Sequence, residues 1–176
     1  MPTFISLADG DFSVAEDPFT NVPDEDGVPP GDIIISLTRF QAEGEGLLGE
    51  GRALGVRLES HEEVEALAYD LPQLAVVALA FPKFGDGRAY SYARLLRERF
   101  GFKGQVRAVD DVRRELAGQM VRCGFDAFEP ADGSTPEEWR RASQRFRHVY
   151  QRSSDGRFPA VDERAFEERA FAERGE

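Results

Sequence analysis

The chain has 176 residues, 41% hydrophobic and 11% aromatic, enough for one domain with a real core and too apolar for a disordered segment. Its 22 Lys and Arg stand against 33 Asp and Glu, a net charge of -11 that argues against general nucleic-acid binding, where phosphate neutralisation supplies most of the affinity. A single cysteine rules out an intramolecular disulfide, and no apolar run nears the roughly 20 residues of a membrane helix. The opening Met-Pro-Thr-Phe-Ile has no basic region of the kind that starts a signal peptide, so the expected compartment is the cytoplasm.

Residues 1–31 read as an irregular acidic arm. Residues 1–32 hold eight acidic groups and no Lys or Arg. Phe4-Ile5-Ser6-Leu7 suits a short edge strand, while Pro18, Pro23, Pro29, Pro30 and the run Asp24-Glu25-Asp26-Gly27 speak against regular structure beyond it. An α/β domain is expected over 32–151. Ile33-Ile34-Ile35 is a short apolar run of the kind found in strands covered on both faces. Leu37, Phe40, Gly44, Leu47 and Leu48 then follow at helical spacing, and Ala53 to Glu59 reads as a second strand. Ser60-His61-Glu62-Glu63 has the form of a capping box, predicting a helix that buries Val64, Leu67, Ala68 and Leu71 and stops at Pro72.

Ala75 to Phe81 is the most apolar strand and the expected centre of the sheet. After a Gly-rich turn, Tyr92, Leu95, Leu96 and Phe100 form the inner stripe of a helix closed by Gly101. Gln105 to Val109 is a fourth strand, and Val112, Leu116, Met120 and Cys123 share a helix face that ends at Gly124. Phe125 to Glu129 is a fifth strand. Thr135-Pro136-Glu137-Glu138 is a strong helix start, laying down Trp139, Ala142, Phe146, Val149 and Tyr150 as core. Residues 152–176 read as a charged tail, with a short helix over 163–173 docking Phe166 and Phe171. About five βα units imply a mainly parallel sheet, either open and doubly wound or an incomplete TIM-like barrel.

In either arrangement ligands gather where the parallel strands end. The turn after the third strand carries Lys83, Asp86 and Arg88, with Gly85 and Gly87 opening its backbone. Tyr90 and Ser91 begin the next helix, and residues 83–107 hold seven basic groups against Asp86 and Glu98. Such a turn suits a sulfate, phosphate or carboxylate group, with Lys83, Arg88, Arg94, Tyr90, Ser91 and Arg107 as candidate ligands. An Asp-Gly turn whose charges serve only as local caps is the structural alternative. Strand-end groups also include Ser36, Arg39, Glu59, His61, Asp110, Asp111 and Glu129. Asp86, Asp111 and Glu129 are the candidate acids or bases, although Asp111 also stands where a helix N-cap belongs.

Gly44-Glu45-Gly46-Leu47-Leu48-Gly49 matches G-x-G-x-x-G by letter but lies inside a helical pattern, and its glutamates would repel a pyrophosphate. Cys123 reads as a small core residue. With one Cys and two His far apart in sequence, no zinc, haem or iron–sulfur site and no cofactor is expected.

Phe81-Pro82-Lys83-Phe84, Asp86-Gly87-Arg88, Tyr90-Ser91, Ala93-Arg94-Leu95-Leu96-Arg97-Glu98-Arg99, Arg107-Ala108, Asp111-Val112 and Arg122-Cys123-Gly124-Phe125-Asp126-Ala127-Phe128 resemble a bacterial family, the domain of unknown function numbered nine-three-four. Weaker similarity covers Leu37 to Asp70, and Tyr150-Gln151 fits near the family's end. The resemblance implies a setting in assimilatory sulfite reduction, where the family carries the label of a probable oxidoreductase. Where the family reads Gly-Asp and then Arg-Asp-Gln, this chain has Asp110-Asp111 and Arg114-Glu115-Leu116. The leading expectation is an accessory protein that binds sulfite, sulfate or phosphate at the motif turn. Two alternatives stand beside it. One is a non-catalytic partner of sulfite reductase or the sulfonucleotide reductase, docked through the acidic arm. The other is an oxidoreductase with a loosely bound flavin or nicotinamide. An exposed sheet edge would favour a homodimer.

Overall fold

Eight strands form one sheet in the order β2-β1-β8-β7-β6-β5-β4-β3 in the computed structural model, which describes residues 4–166. They are β1 (Ile5–Ala8), β2 (Asp11–Val14), β3 (Phe19–Asn21), β4 (Asp32–Ser36), β5 (Leu54–Leu58), β6 (Val76–Phe81), β7 (Gln105–Val112) and β8 (Ala127–Pro130). From β3 to β8 every neighbouring pair is parallel and the strands follow chain order. A doubly wound sheet reverses its strand order partway across; this one does not. The order is that of an incomplete barrel, with α1 (Leu37–Leu48), α2 (Arg88–Arg94), α3 (Ala117–Cys123) and α4 (Pro136–Ser143) between or beside the strands. No helix among the described residues is long and apolar enough to cross a membrane.

The connection from β2 to β3 fixes the curl. These strands are the two outer strands of the sheet, yet only residues 15–18 join them. Eight flat strands at about 4.8 Å spacing would put the edges roughly 34 Å apart, whereas five residue steps reach at most about 18 Å. The sheet must therefore bend, and the arm crosses its concave side as a strap. Alternation along each strand agrees. Ile33, Ile35, Val77, Leu79 and Phe81 join the large helix-side core, while Ile34, Val76, Ala78, Ala80 and Val109 form a small second cluster with Phe19 packed on it. Gly55 shows how tight the concave side is. A Cβ there would sit 2.8 Å from Ile34 Cγ1 and 3.0 Å from Val76 Cβ.

Several expectations are corrected. The arm is not irregular beyond Phe4–Leu7: Ile5–Ala8 pairs with Asp11–Val14 as a hairpin through Asp9 and Gly10, and Phe19–Asn21 adds a strand beside β4. The prolines lie outside these short strands, in the links between them. The helix expected from Ser60 is instead two 3₁₀ turns, Val64–Leu67 and Leu71–Gln73. Glu62, not Glu63, closes the loop by accepting the Glu59 N–H at 2.7 Å, and Pro72 bars an α-helical continuation.

The fourth strand runs on to Val112. Asp110 adopts φ 77° there and shifts the β7–β8 register, so Asp111 sits in a strand rather than at a helix N-cap. Helix α4 has the expected capping box, but it ends at Ser143, leaving Phe146 70% and Tyr150 89% exposed. Trp139 and Val149 are buried as expected. A helical segment at 160–166 leaves Phe166 exposed, and Phe171 lies outside the described residues.

Candidate functional site

The motif turn hangs from the C-terminal end of β6. Asp86 N–H donates to the Lys83 carbonyl at 2.9 Å, closing the turn, and Phe84 N–H donates to Asp111 Oδ2 at 3.0 Å, tying it to the end of β7. Two of the three candidate carboxylates thus meet on one turn. Arg88 folds back on Asp86 through paired bonds of 3.0 and 2.7 Å and donates to Ser60 Oγ at 3.0 Å. The side-chain and backbone hydrogen bonds from Arg88 hold the Asp86 carboxyl far below the usual range. Arg113 lowers Asp111 in the same manner. Neither acid is poised to hand over a proton near neutral pH.

Arg94 pairs with Glu98 one helical turn on, at 3.2 and 3.1 Å. The ion pairs around the turn take up Arg88 and Arg94 and leave Lys83 with none among the described residues. Neither Gly85 nor Gly87 has a positive φ, and a Cβ on either would meet nothing within 4 Å. Glycine is required there neither by the backbone angle nor by internal packing, and the turn is open to an outside group. Phe84, Gly85, Tyr90, Ser91, Arg94 and Cys123 line a cleft of about 460 Å³ beside it. The Tyr90 hydroxyl is enclosed with no hydrogen-bond partner among the described residues, and burial pushes its pKa up to about 12. Cys123 is nearly buried, and its thiol is pushed up mainly by that burial. It is the core residue the sequence predicts, here at the side of the cleft.

Arg107 does not belong to this turn. It lies on the concave side, fully buried, and donates to Asp17 at 2.6 and 2.8 Å, to Glu129 at 3.1 Å and to Gln105 at 3.0 Å. The rings of Phe4 and Phe19 lie 4.5 and 5.6 Å from its guanidinium carbon. Every direction in which Arg107 could bind an anion is filled by the chain itself. Glu129, the third candidate acid, belongs to this cluster. Burial raises its pKa, opposed by Arg107 and reinforced by Asp17 and Asp110.

Sequence reasoning missed two members of the concave face. Arg57 bonds Glu59 at 2.8 Å and Asp110 at 3.2 and 2.8 Å, and Asp17 of the strap holds Arg107. A charged residue inside the apolar run Leu54–Leu58 was the available signal for Arg57. Nothing local marks Asp17, whose partner is 90 residues away. The departure at position 110 has a physical reading as well. A left-handed φ of 77° is glycine's territory, and aspartate is among the few other residues that tolerate it. Aspartate accepts that conformation here and gives Arg57 a partner.

No curated protein matches the chain. A family model described as "Bacterial protein of unknown function (DUF934)" matches residues 55–161. That span runs from β5 through the motif turn, Arg107, Glu129 and α4, and omits the strap, β4 and α1. The chain belongs to the DUF934 family.

Proposed function

We propose that this protein is an accessory protein of assimilatory sulfite reduction that binds a small oxyanion, sulfite, sulfate or phosphate, at the motif turn. The pathway is the one the resemblance implies. The observation that carries the binding reading is the open Gly85–Gly87 turn, which follows the exposed Lys83, a residue with no ion pair among the described residues, and borders the cleft walled by Ser91 and Arg94. An anion at this position would face a lysine charge, the Ser91 hydroxyl and exposed backbone. Arg88 contributes less than the sequence suggests, because Asp86 already fills its fork. Its task is to hold the turn against Ser60. Arg107 has no part in the binding.

Calorimetry with sulfite, sulfate and phosphate tests the reading on the wild type and on Lys83→Ala, Arg94→Ala and Arg88→Ala. Binding should be lost or weakened by roughly 10- to 150-fold in Lys83→Ala, the loss of one charge-assisted contact of roughly 1.5–3 kcal/mol. Arg88→Ala should act chiefly through stability. Absence of binding in the wild type, or an affinity untouched by both Lys83→Ala and Arg94→Ala, removes the site.

A further inference from the structure

Residues 144–158 bring exposed aromatic and basic side chains together, and the anion site uses none of them. Phe146 is 70%, Tyr150 89% and Phe158 61% exposed. The same stretch holds Arg145, Arg147, Arg152 and Arg157 against Asp155 alone, in a chain of net charge -11. Large exposed apolar groups clustered in this way mark a surface that something covers.

This loop is fastened on both sides. Val149 is buried and bridges to Pro159, and Ala160 N–H donates to the Val149 carbonyl at 2.8 Å. Ser154 N–H and the Ser153 hydroxyl both donate to the Arg122 carbonyl, at 3.1 and 2.5 Å. The Arg157 guanidinium donates to the carbonyls of Phe146 and Arg147. Arg145 stands 5.7 Å from the centre of the Phe146 ring, and Arg152 stands 5.5 Å from that of Phe158. The backbone is therefore ordered while its aromatics face outward, which removes part of the entropy cost of docking.

We propose that this loop is a docking surface for an acidic protein partner. Carboxylates of the partner would meet Arg145 and Arg147, and its apolar side chains would cover Phe146 and Tyr150. Arg145 and Arg147 have no ion pair among the described residues, whereas Arg152 is paired with Asp162 at 2.9 Å. Tyr, Phe and Arg are also the residues enriched at protein interfaces, Tyr and Arg at their hot spots. A second copy is the weaker occupant. Its acidic stretch Asp24-Glu25-Asp26 lies between Pro23 and Gly27 and offers no large apolar side chain to cover Phe146 and Tyr150. Nucleic acid is disfavoured by the overall negative charge and by the small counterion release that two arginines can supply.

The test uses fluorescence anisotropy with the full chain and three labelled probes. These are a peptide alternating Glu or Asp with Leu or Phe, the same peptide with Lys for every acid, and a single-stranded oligothymidine. The acidic peptide should bind and the Lys peptide should not. Tyr150→Ala and the pair Arg145→Glu with Arg147→Glu should each weaken it by about tenfold or more. Their thermal midpoints should not move, because Tyr150 and both arginines lie outside the core. Lys83→Ala should leave the peptide affinity unchanged, so this reading and the anion reading fail separately. Failure to bind the acidic peptide, equal binding of both peptides, or an affinity unmoved by the variants overturns the proposal. So does tighter binding of the oligothymidine, or a concentration-dependent oligomer in sedimentation that Tyr150→Ala abolishes.

Discussion

Removing the Asp17 carboxylate is the sharpest perturbation this fold offers. Arg107 is fully buried, and Asp17 supplies two of its four hydrogen bonds at 2.6 and 2.8 Å with the Asp17 side chain 26% exposed. Breaking a buried pair by deleting one partner costs roughly 3–5 kcal/mol, because the remaining charge stays desolvated. Two features lower the figure here: Glu129 remains bonded to Arg107, and Asp17 is in partial contact with solvent. Asp17→Ala should therefore cost about 3 kcal/mol, the lower end of that range. For a domain of this size that is a fall of roughly 6–12 °C in the melting temperature. Urea unfolding followed by far-UV circular dichroism measures it, with Glu16→Ala as the control one position away and exposed. The control should stay within about 0.5 kcal/mol. Equal midpoints for Asp17→Ala and Glu16→Ala would show that the strap is not clasped through Arg107.

Gly55→Ala should destabilise by about 1–3 kcal/mol in the same assay, because its methyl would press on Ile34 and Val76 from the crowded side of a curled sheet. Asp110→Gly should cost little, since glycine regains its preferred φ as Arg57 loses one partner and keeps Glu59; Asp110→Ala, with the strain and without the partner, should cost more. The pH dependence follows from the depressed carboxyls. Asp86, Asp111 and Glu98 have folded pKa values below their unfolded ones, so their stabilisation is complete above about pH 4–5 and is lost as pH falls through the depressed values. Asp86→Asn should flatten the acid limb of a stability–pH curve measured by urea titration. Glu129, raised by burial, acts in the opposite sense: its contribution is greatest below its unfolded value and declines as pH rises through its folded one.

What the sequence showed follows from how local each signal is. Thr135, Pro136 and Glu138 form their cap within four residues, and the structure has it. The apolar run of β6 reports burial on both faces, and both faces are covered. Ser60 misleads because its hydroxyl is claimed by Arg88, 28 residues on, instead of by its own amides. Phe146 and Tyr150 continue the spacing of α4 past Ser143, where the described residues offer no surface that buries them. Strands β2 and β3 could not be read from short polar segments, because pairing with distant strands defines them. At the candidate site, the turn and its neighbours were legible from Lys83 to Arg94. The exclusion of Arg107 was not, since it depends on an aspartate 90 residues away.

The curl and the strap together decide where a ligand can reach. In a parallel barrel-like sheet the usual approach is through the strand ends toward the interior. Here that interior is lined by Ile34, Val76, Ala78, Ala80 and Val109, with Phe19 laid over them and Asp17 clasped to Arg107. A ligand entering that way would have to displace the Asp17 carboxylate from a bidentate partner and leave Phe19 uncovered. The motif turn demands no such exchange. It stands outside the strap with Lys83 exposed and its glycines facing open space. The proposed binding at the rim would therefore need only the turn, and the strap keeps the two surfaces apart. On this reasoning Asp17→Ala weakens the fold while leaving anion affinity at Lys83 unchanged, and a loss of affinity in that variant would place the ligand on the concave face instead.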